Sequence, residues 1–242
     1  MRTPLVAAAV VVLVAASWAR ADPAPTTQPD SPGTDVRITV DTSQAPDLAD
    51  WARDTLVPTL KEWYPKIAAE LPIENHQPAD QFKIVFDPKY KGVAATSGTH
   101  VVANPDWFRK QLHGEAVGAL MHEAVHVVQL PFHNPHGHHM PSWLLEGTAD
   151  YIRWFQFEPA SQRPHPHAET ARYDASYRVT AAFLQWVITK YDKDIVPQMN
   201  AANYAGTYTD DLWVKYTGKT AADLGAEWQR TLPSRPSTRP NH

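Results

Sequence analysis

The sequence predicts an α+β fold, because every strand-like segment falls before residue 105, the segments beyond it are helical in spacing, and strands come first with helices after. An alternating order would have argued for a doubly wound parallel sheet. The first strand is predicted at Val36–Val40 and the second at Phe82–Phe86, where β-branched and aromatic residues cluster or alternate and where Asp41 and Asp87-Pro88 close the runs. Between them Leu48, Trp51, Leu56, Leu60, Trp63 and Ile67 recur at helical spacing across Asp47–Leu71, an amphipathic helix that Pro58 must either join or kink. A third strand is predicted at Thr99–Ala103. Helices follow at Glu115–Leu130, Ser142–Phe155, Tyr177–Tyr191 and Thr220–Leu232, the last opened by a capping-box-like Thr220 and Asp223. Trp51, Trp63, Trp107, Trp143, Trp186, Trp213 and Trp228 fall mostly at apolar positions of this pattern and are read as core, not as a platform for sugars.

The two ends stand apart from this domain, which is expected to span residues 35–232. Met1-Arg2, the apolar run Leu5–Ala16 and the small-residue site Ala19-Arg20-Ala21 read as a cleaved signal peptide over residues 1–21. The run is shorter than the ~20 residues a membrane-spanning helix requires, so no stable insertion is expected after cleavage, and the product is expected to be secreted or periplasmic. Residues 22–34 carry four prolines and no core former, a linker, and residues 233–242 form a similar disordered tail. Removing Arg2 and Arg20 lowers the formal charge from −4 to −6, which offers no attraction to nucleic acid or an anionic membrane. The absence of cysteine excludes disulfide scaffolds, thiol nucleophiles, iron–sulfur clusters and cysteine-type zinc fingers. Any metal must therefore be held by His, Asp or Glu.

Such a set is present. His122-Glu123-Ala-Val-His126 is an H-E-x-x-H sequence inside a predicted helix, where residues four apart share a face, so both imidazoles can reach one ion. Glu123 lies about 100° around the helix from His122, placed to act as a base on a bound water without being a ligand. The competing reading is a core helix with two hydrogen-bonded histidines. A catalytic zinc needs a third protein ligand, and the spacing H-E-x-x-H-x-x-G-x-x-H fails, because Gln129 and Phe132 occupy the required positions and His133 is one residue out of phase. The gluzincin arrangement, a Glu from a second helix followed four residues later by an Asp that supports a zinc histidine, is met by Glu146 and Asp150. Two carboxylates in a segment otherwise as apolar as Trp143–Phe155 need partners, and a metal and an imidazole N–H supply them.

Three ordered blocks resemble the plant basic secretory protein family of zinc peptidases, which has bacterial members. They are Gly118–Gln129 around H-E-x-x-H, Glu146–Arg153 matching E-G-x-A-D-Y-x-R, and Tyr177–Leu184 matching a Tyr followed by V-T-A-x-F-L; Thr96-Ser97-Gly98 before a strand is similar as well. The likeness extends over about residues 36 to 232. It implies a zincin-like fold, with His122, His126 and Glu146 on Zn2+ and Glu123 as acid/base toward a peptide or protein substrate. Two positions depart from the pattern: a usually acidic site is Arg178 and a basic one is Ala182, so an ion pair between them is lost. The mature chain is also acidic where the family name says basic.

Hydrolysis of a peptide by a zinc-activated water further needs a donor for the oxyanion, and Tyr177 is the first candidate, Tyr173 the second, against the alternative that either simply caps the core. The strand Thr99–Ala103 is a candidate edge for an extended peptide, with His100 facing either cleft or solvent. His133, His136, His138 and His139 lack helical spacing and are read as solvated or weakly metal-scavenging. The alternatives to a metallopeptidase are a non-catalytic secreted binding protein on the same scaffold and a zinc hydrolase of a non-peptide amide.

Overall fold

In the computed structural model, which describes residues 36–129 and 133–235, strand β1 (Arg37–Asp41) leads through a helical segment to β2 (Gln81–Phe86), which lies parallel to it with Ile38 opposite Phe82 and Val40 opposite Ile84. The segment between begins with a tight turn at Pro46–Leu48, then α1 (Ala49–Trp51), a wide turn at Ala52–Leu56, and α2 (Val57–Glu70). In the wide turn the Val57 N–H reaches back five residues to the Ala52 carbonyl. Pro58, which has no N–H to offer, thereby joins the first turn of α2, where a missing donor is tolerated. Pro65, inside α2, was not flagged by the periodicity.

The predicted third strand is β4 (His100–Ala103), and it is not an edge. It pairs in parallel with β2, Ile84 opposite Val101, and antiparallel with β3 (Ala94–Ser97), Thr96 opposite Val101, giving the order β1-β2-β4-β3. The exposed edge is β3, whose Ala94-Ala-Thr-Ser sequence carries neither alternation nor aromatic bulk and so left no strand signal. A tight hairpin joins β3 to β4 with Gly98 at a φ of 57°, a conformation that favours glycine. His100 is exposed.

Beyond the sheet the chain is helical: α3 (Pro105–Gln111), α4 (Ala116–Gln129), α5 (Ser142–Tyr151) with a wide turn at Ile152–Phe157, α6 (Tyr177–Lys190), α7 (Ile195–Ala205), α8 (Asp211–Thr217) and α9 (Ala221–Thr231). This mixed sheet followed by a mainly helical half is the predicted α+β class. The four predicted helices lie where expected. Helices α3, α7 and α8 were not predicted, although Asn104 caps α3 by accepting the Asp106 N–H. At α9 the Thr220 hydroxyl oxygen accepts the Asp223 N–H at 3.1 Å and its proton goes to the Asp223 carboxylate at 2.7 Å.

Helix α4 is the centre of the core. All its residues except Val117 are buried, as expected of a helix apolar on every side, and it packs against α2, β3 and α5. Trp213 and Trp228 are fully buried and both meet the ring of Phe183, while Trp51 packs on Phe86 and Phe108. Trp63, Trp107, Trp143 and Trp186 are half-buried against the same core, which supports reading the tryptophans as packing. The expected signal peptide at residues 1–21 and linker at 22–34 lie outside the described residues. Of the expected tail, the Pro233 carbonyl accepts the Ala168 N–H and the Arg235 N–H bonds to Glu169. No helix among the described residues is long and apolar enough to cross a membrane.

The most extensive helix contact is between α5 and α6, and it depends on Gly147. A Cβ there would lie 2.1 Å from Thr180 Cγ2 and 2.6 Å from Thr180 Cβ, so the helices would have to part. Gly147→Ala should therefore lower stability by about 1–3 kcal/mol despite the better helix propensity of alanine, read as a lower denaturation midpoint in urea, with part of the loss recovered when Thr180→Ser removes the nearer methyl. An unchanged midpoint would contradict the close approach.

Candidate metal centre

The buried polar side chains of α4 are His122, Glu123, His126 and Gln129, and all but Glu123 belong to one connected set with α5. His122 and His126 lie one turn apart with their rings nearly perpendicular, 4.8 Å between centroids. Their Nε2 atoms are 3.1 Å apart, and Glu146 Oε2 from α5 lies 3.0 Å from the first and 3.3 Å from the second. The three residues that the sequence pattern singles out thus lie at one point.

The far side of each ring shows which nitrogen carries the proton. Asp150 is a carboxylate and can only accept, so His122 donates its Nδ1–H to Asp150 Oδ1 at 2.8 Å. Gln129 gives its amide N–H to the Leu145 carbonyl at 3.5 Å, which turns its Oε1 toward His126 Nδ1 at 2.9 Å. Were both rings neutral in these tautomers, both Nε2 lone pairs and a carboxylate oxygen would face one another with no proton between them. That arrangement repels itself unless a cation sits among the three. Ligands held tetrahedrally at ~2.1 Å would be about 3.4 Å from each other, close to the observed separations. The residues therefore fit a metal ion, and His122, His126 and Glu146 are the one group of this kind among the described residues.

Electrostatics agree. Burial opposes charge on His122, yet its hydrogen bonds to Asp150 and Glu146 outweigh burial and raise its pKa to about 9. Burial likewise opposes charge on Glu146, but hydrogen bonds with His122 and His126 hold it at about 2. The cluster gathers positive charge, whether proton or metal.

The set opens into a cleft of about 1090 Å³. Glu123 lines it beside the cluster, 7% exposed, with Oε2 accepting the Thr96 hydroxyl proton at 2.6 Å. Tyr177, half-exposed at the start of α6, also lines the cleft, with its ring stacked 6.0 Å from that of His122. The negative charge of Glu146, then burial, raises its pKa, so it keeps its proton. Tyr173 points elsewhere: its ring packs on Trp143 and Phe183 in the helical half. Strand β3 forms the rim. Asn104 N–H bonds the Val93 carbonyl, and by the antiparallel alternation Ala94 and Thr96 turn their backbone groups outward to the open edge. One of these is already engaged, since the Tyr90 hydroxyl donates to the Ala94 carbonyl at 3.1 Å.

Arg178, the departure from the family pattern, pairs with Glu115, which also accepts from buried Arg153 at 2.8 Å, and both guanidinium groups lie over Trp154. The loop histidines do not converge. His133 stacks on Tyr204, His139 Nδ1 bonds the Asn203 carbonyl, and His136 is exposed. Sequence reasoning missed Gln129 and Thr96 as partners of the cluster. For Gln129 a signal existed, a polar residue three positions after His126 on an apolar helix. For Thr96 the likeness of Thr96-Ser97-Gly98 to the family pattern was a signal, but it did not name the partner, because 27 residues separate Thr96 from Glu123.

A family model described as BSP, peptidase of plants and bacteria, matches residues 42–228. No curated protein and no solved structure matches the chain.

The hydrogen-bond pattern ranks the side chains for metal affinity. Glu146→Gln, which loses a charged ligand, should reduce zinc affinity most, while Asp150→Asn and Gln129→Ala, which only release a ring, should each cost about 10- to 100-fold, measured by competition with a chromogenic chelator. A larger loss for Asp150→Asn than for Glu146→Gln would sink this ligand assignment.

Proposed function

The chain belongs to the BSP family, peptidases of plants and bacteria, and we propose that it is a secreted zinc metallopeptidase centred on His122, His126 and Glu146. The observation that carries this reading is the convergence of two imidazole nitrogens and a carboxylate oxygen at a cleft, with the Glu123 carboxylate beside them. Two imidazoles, one carboxylate and no thiolate suit zinc, and three protein ligands leave a position open. A zinc ion held there would polarise a scissile carbonyl and bring the pKa of its water toward ~7.

The protein's own groups do the rest. Glu123 takes the proton of the attacking water and later gives it to the leaving amine, which requires a carboxylate that is near the cluster without being committed to it. Tyr177 offers a phenolic O–H to the developing oxyanion, and its raised pKa keeps it a donor. Asp150 and Gln129 hold the two rings with Nε2 forward. An extended peptide pairs with the outward backbone groups of Ala94 and Thr96, so edge strand β3 takes the part expected of Thr99–Ala103. The predicted signal peptide at residues 1–21 supports secretion or periplasmic export, and the acidic mature chain supports neither nucleic acid nor anionic membrane as a partner.

Zinc analysis by mass spectrometry together with proteolysis of an unstructured protein tests this directly. Wild type should hold one zinc and cleave; Glu123→Ala should hold zinc equally and lose at least about 10³-fold in rate, and Tyr177→Phe should lose about 10- to 1000-fold. A wild type that binds zinc yet cleaves nothing beyond the Glu123→Ala variant would turn the reading to a binding protein on this scaffold, and cleavage confined to small amides would turn it to a non-peptide hydrolase.

A further inference from the structure

The edge strand sends one side chain into the cluster. Thr96 lies with its hydroxyl 2.6 Å from Glu123 Oε2 and 3.2 Å from the Glu123 carbonyl oxygen. A hydroxyl has a single proton, and the shorter contact to the charged carboxylate takes it. Only Oε2 of Glu123 is engaged in this way among the described residues, so one oxygen is fixed and the other is left to the cleft. A glutamate side chain has three rotatable bonds, and in the middle of α4, with small neighbours such as Ala119 and Ala124, no second hydrogen bond among the described residues fixes the carboxylate.

We propose that Thr96 is a positioning residue for Glu123, which holds the carboxylate in place for proton transfer. This rests on the reading of Glu123 as the proton carrier. The same residue turns its backbone groups to the open edge of β3, where an extended peptide would pair, so a single residue sets both where the peptide backbone lies and where the base stands. A base carried on α4 and a docking edge carried on β3 would otherwise be related only through general packing of the helix on the sheet.

Thr96→Val keeps the shape and removes the hydroxyl, Thr96→Ala removes it without risk of overpacking, and Thr96→Ser retains it. Each is compared with wild type and with Glu123→Ala for zinc content, thermal midpoint, kcat and KM on a peptide, and for the position of the Glu123 carboxylate in a crystal structure. The Val and Ala variants should bind zinc as wild type does, lose about 10- to 100-fold in kcat with KM within about threefold, and show the carboxylate displaced, while Ser recovers kcat to within about threefold. The proposal is overturned if the Val and Ala variants keep wild-type kcat while Glu123→Ala is inactive, if Ser is as impaired as Val, or if the carboxylate stays in place without the hydroxyl. Activity in Glu123→Ala equal to wild type would instead overturn the function on which the proposal rests.

Discussion

Two imidazole nitrogens and a carboxylate oxygen are held 3.0–3.3 Å apart in the middle of the protein, and much of the fold is what that requires. Uncompensated, such a cluster in a buried setting costs several kcal/mol. The two histidines share one helix, so their relation is fixed by the α-helical repeat alone. Glu146 comes from another helix, and its place depends on how α5 lies against α4 and α6. Gly147 allows the Thr180 side chain to sit against the α5 backbone, and the Thr180 hydroxyl in turn donates to the Tyr173 carbonyl at 2.6 Å, which ties α6 to the loop before it. The third ligand is therefore placed by a residue next to it in sequence that has no side chain at all.

What was legible in the sequence is what helical repetition makes local. His122, Glu123 and His126 sit within five residues, and Glu146 and Asp150 repeat the same spacing on a second helix, so both faces could be drawn before any fold was known. The amphipathic stretches became helices for the same reason, and Thr220 with Asp223 marked a real cap. What was not legible depends on partners distant in sequence. Strand β3 owes its existence to β4, not to its own Ala94-Ala-Thr-Ser residues, and with β3 hidden the strand beside it looked like an edge. Helices α7 and α8 carry few strong signals, with Pro197 in the first turns of one and only seven residues in the other, and they exist by packing on the core.

A second, partly buried cluster shows how differently charge can be managed within the same fold. Around Arg153, cations are already built in: Glu115 receives both Arg153 and Arg178, Glu158 lies 3.6 Å from Arg153 Nε, and Trp154 is covered by both guanidinium groups. Arginine at position 178 thus has a partner that a reading limited to its own helix would not find. Two arginines face two glutamates there, and the group balances itself. At His122, His126 and Glu146 no arginine or lysine supplies the positive charge, and that difference separates a structural network from a site that gathers a proton or a metal ion.

The Tyr90 hydroxyl resting on the Ala94 carbonyl has a consequence for how the protein behaves among copies of itself. An open sheet edge beside a cleft built to receive extended chains is also an invitation to any other unpaired strand, including the same strand of a neighbouring molecule. Here the edge is four residues long, and one of its outward carbonyls is capped from within. A chain arriving there finds room for a short ladder only, enough for a peptide that leaves again and too little to seed a growing stack of strands.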